Sequence, residues 1–461
     1  MKKITDKIRE AKTLLYILAA FLVSFISRVN FVVPLFLITL YAYLRLRKIH
    51  LPLRYLIFMF LLAFVSGFFI IKGNLPVYLH SFACIPMLAT LLFGNLEIAL
   101  LLALASSLSV ATLGGNPVEL AILYLVSGIV SSMWVLGARK RSTIIRAGLA
   151  VGITMSLCMM FMEGGVFYSP WRYLSLILNG IISSGVVLLL LPVFESLFQT
   201  VTNVSLLELA DFQHPLLQRM VMEAPGTYHH CLVVGNLSDS ACEAVGANSL
   251  LARIGAYYHD IGKLQKPHYF SENQEADGSR HDTLSPSMSK LIIMNHVKEG
   301  VELAKKYRLK PPIIDFIQQH HGNSLVFYFY RRALESLEDD HEIKEEGFRY
   351  AGPKPSTKET AIVLLADSVE AATRALKDPD PTKIEEVVHK IINNKFIDGQ
   401  LDQCDLTLKD LEKISAVFIR ILSGIYHVRV SYPENGRNEN NHKKPSKEDQ
   451  VQPEKGKNGG S

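Results

Sequence analysis

Long apolar runs, interrupted by short stretches rich in Gly, Asn and Pro, occupy the chain up to residue 200. Between residues 55 and 135 the only charged side chains are Lys72, Glu97 and Glu119, too few for a soluble domain. The breaks divide these runs into segments that can cross a bilayer as helices, which satisfy their own backbone hydrogen bonds. The pattern predicts transmembrane helices over residues 55–71, 77–93, 96–113, 118–136, 145–162 and 172–192.

The number of crossings depends on residues 14–44, which are apolar apart from Arg28 and Asn30. One helix there gives seven crossings and a hairpin gives eight. Arg28 and Asn30 fit poorly in a turn near bilayer depth, which favours seven, whereas the basic segment 1–13 favours eight. Basic clusters at 45–54 and 139–146 mark the cytoplasmic side. We predict a multi-pass protein of the inner (plasma) membrane.

After residue 200 the pattern changes to regular charge with helical periodicity, and residues 358–376 form the clearest amphipathic helix. We therefore predict an all-α protein, in which a polytopic membrane domain precedes a cytoplasmic helical domain. The predicted parts are a basic segment 1–13, a membrane domain 14–200, connecting helices 201–228, a helical domain 229–432 and a disordered tail 433–461.

Composition agrees with two unlike halves, since 49% of the 461 residues are hydrophobic while 20% are charged. The net charge of +5 is not concentrated on one segment, so we expect neither DNA nor RNA as a partner. The five cysteines are scattered and odd in number, which indicates a reduced protein without a disulfide framework. The lipid bilayer is one expected partner, and the pattern leaves an oligomer open.

Histidines carry the chemical signal: nine of the fifteen lie between His214 and His321. Imidazole and carboxylate together suit first-row divalent cations. Seven ligands exceed what one tetrahedral ion uses, but they suit two ions bridged by a carboxylate, with Asp260 in a position to span both. The candidate metal ligands are His230, His259, Asp260, His296, His320, His321 and Asp367. His229 is more easily explained as a neighbour of His230, and a His-Asp pair alone would be weak evidence.

Ordered motifs extend this set, including APGTYHH at 224–230, HDIGK at 259–263, IDFIQQHHG at 314–322 and LLADSVEAATRAL at 364–376. With these motifs the chain resembles the seven-transmembrane HD family (PgpH-type) over roughly residues 30–430. The resemblance implies an HD-domain metallohydrolase that cleaves cyclic di-AMP to linear pApA with two metal ions, commonly Mn or Fe. It implies the same seven ligands, with Asp260 as the bridge.

One departure concerns the large extracellular domain that family members usually carry after a first transmembrane helix. The sequence has no room for it, so either this lineage lost it or the chain is a truncated reading of a longer gene. Sensing of an extracellular ligand is therefore in doubt, whereas the catalytic motifs are complete.

The predicted reaction is metal-assisted hydrolysis of a phosphodiester. Asp260 and Lys263 are the predicted catalytic residues, and Lys263 also contacts the phosphate oxygens of the cyclic dinucleotide substrate. Three alternatives stay open. The first is an HD enzyme for another nucleotide such as cyclic di-GMP, although Gly322-Asn323-Ser324 replaces the Gly-Tyr-Pro typical of that class. The others are a receptor that binds nucleotide without turnover, and a transporter.

Overall fold

The computed structural model describes residues 76–111, 116–167, 169–274, 280–335 and 343–426. Over these residues the chain forms helices and no sheet, which confirms the all-α prediction. The predicted helix 55–71, the question of one or two helices in 14–44, the basic segment 1–13 and the tail 433–461 lie outside the described residues.

Five α-helices form the described part of the membrane half. They are α1 (Cys84–Phe93), α2 (Leu96–Ala111), α3 (Pro117–Val135), α4 (Arg141–Met162) and α5 (Pro170–Phe198). Among the described helices, α3, α4 and α5 are long and apolar enough to cross a membrane. Helix α5 passes through Pro192 and extends beyond the predicted span 172–192.

The prediction of one continuous helix over 77–93 is wrong. A short 3-10 helix at Val77–Leu79 is followed by a break, and α1 has only 10 residues, about 15 Å of the ~30 Å hydrocarbon core. Asn179 donates to the carbonyl oxygens of Tyr78 and His80, and the Tyr124 hydroxyl donates to that of Val77. Non-helical backbone is tolerated in an apolar environment where protein groups satisfy it in this way.

Small residues allow α4 and α5 to pack closely. A Cβ atom at Gly180 would lie 2.0 Å from the carbonyl oxygen of Gly148, and a Cβ at Gly152 would lie 2.9 Å from the backbone of Ile177. Such contacts are typical of helix pairs in membranes, where close backbone approach replaces the hydrophobic effect as the source of stability.

The second half begins as α5 ends, where the buried Glu195 carboxylate accepts hydrogen bonds from Thr202 and Ser205. The described residues of this half form ten α-helices: α6 (Asn203–Leu209), α7 (Pro215–Glu223), α8 (Pro225–Val245), α9 (Ser249–Tyr258), α10 (Pro286–Lys306), α11 (Pro311–Gln319), α12 (Phe327–Glu335), α13 (Lys358–Arg374), α14 (Pro381–Ile397) and α15 (Leu408–Ile425). The helix predicted over 358–376 is confirmed as α13. Helix α8 crosses the predicted boundary at 228, so its first turn belongs with the helical domain.

The core of this half brings α8, α9 and α11, which are distant in the chain, together around α13. Val234 of α8, Ala256 of α9 and Phe316 of α11 pack with Leu364 of α13 in one buried apolar cluster. Gly255 is required there, because a Cβ atom would lie 2.3 Å from the Phe316 ring. This packing holds the start of α8, the ends of α9 and α11 and the middle of α13 next to one another.

Candidate metal centre

The structure brings all seven predicted ligands together, in two clusters. Within each cluster the candidate ligand atoms lie within 4.8 Å of one another. The first cluster consists of His230, His259, Asp260 and Asp367, and the second of His296, His320 and His321. Six of the seven side chains are buried, and His321 is partly exposed.

Asp260 lies between the two clusters. Its Oδ2 atom is 3.2 Å from Nε2 of His259, whereas its Oδ1 atom is 3.3 Å from Nε2 of His296 and 3.6 Å from Nε2 of His320. The two residues of the His-Asp pair follow the last turn of α9 rather than lying within a helix. The backbone changes from α-helix to 3-10 helix at this point. This change is the local reason why the side chains of His259 and Asp260 point in different directions.

Asp367 also faces both clusters from the middle of α13. Its Oδ1 atom is 3.0 Å from Nε2 of His230, and its Oδ2 atom is 3.6 Å from Nδ1 of His321. Its neighbours Val363 and Leu364 are buried apolar residues, so a carboxylate here requires compensation by cations or hydrogen bonds.

Backbone carbonyl groups orient three of the histidines. Nδ1 of His259 lies 2.6 Å from the Ala256 oxygen, Nδ1 of His296 2.5 Å from the Ile293 oxygen, and Nδ1 of His320 3.0 Å from the Ile317 oxygen. A carbonyl can only accept, so the proton of the neutral ring belongs on Nδ1. Each Nε2 is thereby left with a lone pair directed toward the centre, as metal ligation requires.

The fourth histidine, His230, uses a carboxylate for the same purpose. Oε2 of Glu370 lies 2.5 Å from His230 Nδ1, and Arg374 contacts both groups. Sequence reasoning did not identify Glu370. A signal was available, since Glu370 is one helical turn after Asp367 and therefore lies on the same face of α13.

Lys263 lies at the edge of the first cluster. Its ammonium nitrogen is 2.8 Å from Oδ2 of Asp260 and 2.6 Å from Oε1 of Glu272, and it is 5.0 Å from the centre of the Phe270 ring. Glu272, like Glu370, was not a candidate from the sequence. In this geometry Lys263 neutralises Asp260, and the third N–H of its ammonium group is available to another acceptor.

The electrostatics favour an ionised carboxylate centre. Burial alone would raise the pKa of Asp260, but Lys263 and His259 outweigh it and hold that pKa well below its usual range. Burial lowers the pKa of His320 to about 4, so this imidazole is neutral at pH 7. Neutral imidazoles and ionised carboxylates are the forms that bind divalent cations.

Two buried polar atoms within the centre have no hydrogen-bond partner: Nε2 of His259 and Oδ1 of Asp260. Unpaired buried groups are costly in a protein interior. Both atoms point to the space between the ligands, where a divalent cation would pair with them. The donor set and these orphaned atoms therefore fit divalent metal ions.

A groove of about 610 Å³ runs between α10 and the segment 347–352, and His321 forms part of its wall. The wall of this groove includes Tyr350, whose ring stacks on that of His321 with the ring centres 4.3 Å apart.

Comparison with known proteins supports both halves of this description. A family model for a 7TM receptor with intracellular HD hydrolase matches residues 16–202, and an HD domain model matches residues 227–372. The cyclic-di-AMP phosphodiesterase PgpH of Bacillus subtilis is 44% identical over 322 residues, covering 68% of this chain and 45% of that protein. The PgpH of Listeria monocytogenes is 41% identical over 325 residues, covering 68% of this chain and 44% of that protein.

The crystal structure of the L. monocytogenes phosphodiesterase PgpH HD domain in complex with cyclic di-AMP is 47% identical in sequence. The match covers 47% of this chain and 100% of the crystallised chain, with a TM-score of 0.45. This chain spans less than half the length of the two full-length relatives. The chain belongs to the family of seven-transmembrane receptors with an intracellular HD hydrolase domain.

Proposed function

We propose that this protein is a membrane-anchored dimetal phosphodiesterase that hydrolyses cyclic di-AMP to linear pApA. The observation that carries the proposal is the position of Asp260, whose two carboxylate oxygens face different clusters of histidines. The curated relatives that share these motifs are named as cyclic-di-AMP phosphodiesterases, which supports this substrate.

In this proposal His230, His259, Asp260 and Asp367 hold one ion, and His296, His320 and His321 hold the second together with Asp260. Two bound cations supply an activated water nucleophile and stabilise charge on the phosphate oxygens. Mn and Fe are the proposed ions because a set of imidazoles and carboxylates without thiolate suits them.

The side chains around the ions have three tasks. Asp260 would serve as a ligand for both ions, while the Nδ1 contacts keep four imidazole rings directed inward. Lys263 retains its predicted catalytic role: it holds Asp260 ionised and presents one further N–H to a phosphate oxygen. The buried surroundings strengthen these electrostatic contacts, because the interior screens charge less than water does.

The proposed arrangement places the HD domain in the cytoplasm. Arg139 and Lys140 lie between α3 and α4, and Arg141, the first residue of α4, pairs with Glu208 of α6 at 2.8 Å. Basic loops mark the cytoplasmic side, and this one lies at the end of the membrane helices from which the HD domain extends.

The test uses the full chain in detergent micelles, loaded with Mn or Fe. Cyclic di-AMP and cyclic di-GMP are supplied separately, and products are separated by liquid chromatography. We expect pApA from cyclic di-AMP at a higher kcat/KM than for cyclic di-GMP. Two metals bound per chain without turnover of either compound would refute the enzyme proposal, and preference for cyclic di-GMP would refute the substrate.

A further inference from the structure

The groove beside the metal centre has a composition of its own. Besides apolar residues its wall contains three lysines, Lys290, Lys298 and Lys305, and among its ionisable lining residues the only carboxylate is that of Glu302. The lysines are spaced along α10 by two helical turns each, so they lie on one face of that helix. One side of the groove therefore carries a row of positive charges, and the candidate metal ligand His321 lies in the same groove wall.

These lysines differ from others in the same half of the chain. Lys263, Lys354 and Lys358 each pair with a carboxylate within 3.1 Å. Within the described ranges, the structure gives none of the three groove lysines a carboxylate partner, and Lys290 instead lies 4.5 Å from the centre of the Phe348 ring. Their charge is thus free to meet an anion that enters the groove.

The opposite wall is held in place. Arg349 pairs with Asp398 at 2.9 Å and donates to the Asn323 oxygen, and the Tyr350 amide donates to the Ser324 oxygen at 3.0 Å. Gly347 leaves open space toward the groove, since a Cβ atom there would meet only Lys290 Nζ at 3.8 Å. A wall fixed in this way needs little ordering when a ligand binds.

The size of the groove exceeds what one phosphodiester needs. Its volume of about 610 Å³ falls in the range of sites that enclose a whole small molecule, ~300–1,000 Å³. A cyclic dinucleotide has two phosphates, and only one can be at the metal centre during hydrolysis.

We propose that the groove binds the second nucleotide of the substrate, with Lys290 and Lys298 facing the phosphate that is not cleaved and Tyr350 fixing the inner end of the groove. This inference rests on the proposed function. It predicts that the groove contributes to binding of a substrate with two phosphates and is irrelevant to a substrate with one.

The test compares the double variant Lys290→Gln/Lys298→Gln with Lys306→Gln in the metal-loaded full chain. Lys306 is an exposed residue of the same helix outside the groove, so its variant controls for the change in net charge. Loss of a charge-assisted contact lowers affinity by about tenfold or more. We expect KM for cyclic di-AMP to rise at least tenfold in the double variant, with kcat within about twofold.

Bis(p-nitrophenyl) phosphate, which has a single phosphate, separates the groove from the metal centre. Its hydrolysis should be the same in the double variant, the Lys306→Gln control and the unaltered chain. An equal change in KM for cyclic di-AMP in the double variant and the control would overturn the proposal. So would an equal loss of activity on both substrates, which would indicate damage to the metal centre.

Binding to the metal-free chain keeps this test independent of turnover. Equilibrium dialysis with labelled cyclic di-AMP in the presence of a chelator should show binding that the double variant weakens about tenfold. If the unaltered chain binds but does not hydrolyse cyclic di-AMP, the proposed function fails while the groove stands. If the metal-free chain does not bind, or the double variant binds equally well, the groove proposal fails.

Discussion

Replacement of Glu370 should weaken one of the two metal sites and leave the other intact. Glu370 is 2% exposed, and its carboxylate lies 2.5 Å from Nδ1 of His230, a candidate ligand of the first cluster only. Carboxylates behind a metal-bound histidine orient the ring and increase its basicity, and their loss typically lowers metal affinity by about 10–100-fold. That range corresponds to about 1.4–2.7 kcal/mol.

The assay is a Mn titration of the metal-free full chain, followed by the electron paramagnetic resonance signal of free Mn. The unaltered chain should bind two ions. Glu370→Gln should bind one ion with unchanged affinity and the other about 10–100-fold more weakly. The side-chain amide in Glu370→Gln keeps an acceptor oxygen but has no charge, whereas Glu370→Ala loses both the charge and the hydrogen bond. A smaller loss of Mn affinity in Glu370→Gln than in Glu370→Ala would therefore separate the two contributions.

Glu359→Gln is the matched control. Glu359 lies on the same helix, away from both clusters. Its side chain accepts a hydrogen bond from the backbone N–H of Asn248 at 2.8 Å. Its replacement should leave both Mn affinities unchanged. Parental affinity for both ions in Glu370→Ala, with unchanged circular dichroism, would refute the reasoning about His230.

Three further predictions concern Lys263, the removal of metal and the packing of the membrane helices. Lys263→Met should lower kcat for cyclic di-AMP at least tenfold, because Asp260 loses its 2.8 Å ion pair and the phosphate loses a donor; steady-state kinetics with saturating Mn measure this, and an unchanged kcat would contradict it. Removal of metal by a chelator should lower the melting temperature of the HD domain, because ions that bind only the folded state stabilise it; differential scanning calorimetry at several Mn concentrations would show a shift that grows with concentration. Gly180→Ala should destabilise the α4–α5 pair, since its Cβ would lie 2.0 Å from the Gly148 oxygen, whereas Gly185→Ala, with open space around its Cβ, should not; thermal aggregation of the detergent-solubilised chain compares the two.

The sequence predicts which side chains the structure brings together at the candidate metal centre, and the reason is physical. Each ligand is a residue type with few other uses in a buried position, and His259-Asp260 and His320-His321 are local motifs that survive without knowledge of the fold. The residues that orient these side chains are harder to predict from the sequence. Glu370 contacts His230, which is 140 positions away in the chain. The helical period places Glu370 on the same face as Asp367, but no local pattern shows that this face meets His230.

The membrane half shows the same limit. Hydropathy identifies α3, α4 and α5 because apolarity over a bilayer length is a local property. It does not reveal the break before α1, because that break depends on Asn179, a residue of α5 about 100 positions away that bonds the freed carbonyl groups. Tyr350 was missed for a related reason, since its role depends on the return of the chain toward His321.

The most direct test of the central claim is the metal content of Asp260→Ala, measured by mass spectrometry of the purified full chain together with hydrolysis of cyclic di-AMP. Asp260 has one oxygen directed at each cluster, so its loss should remove a ligand from both ions and leave the second cluster with three histidines only. The account predicts two metals per chain in the parent, fewer than one in the variant, and no pApA from the variant. Two metals retained in Asp260→Ala, with cyclic di-AMP still cleaved, would contradict it.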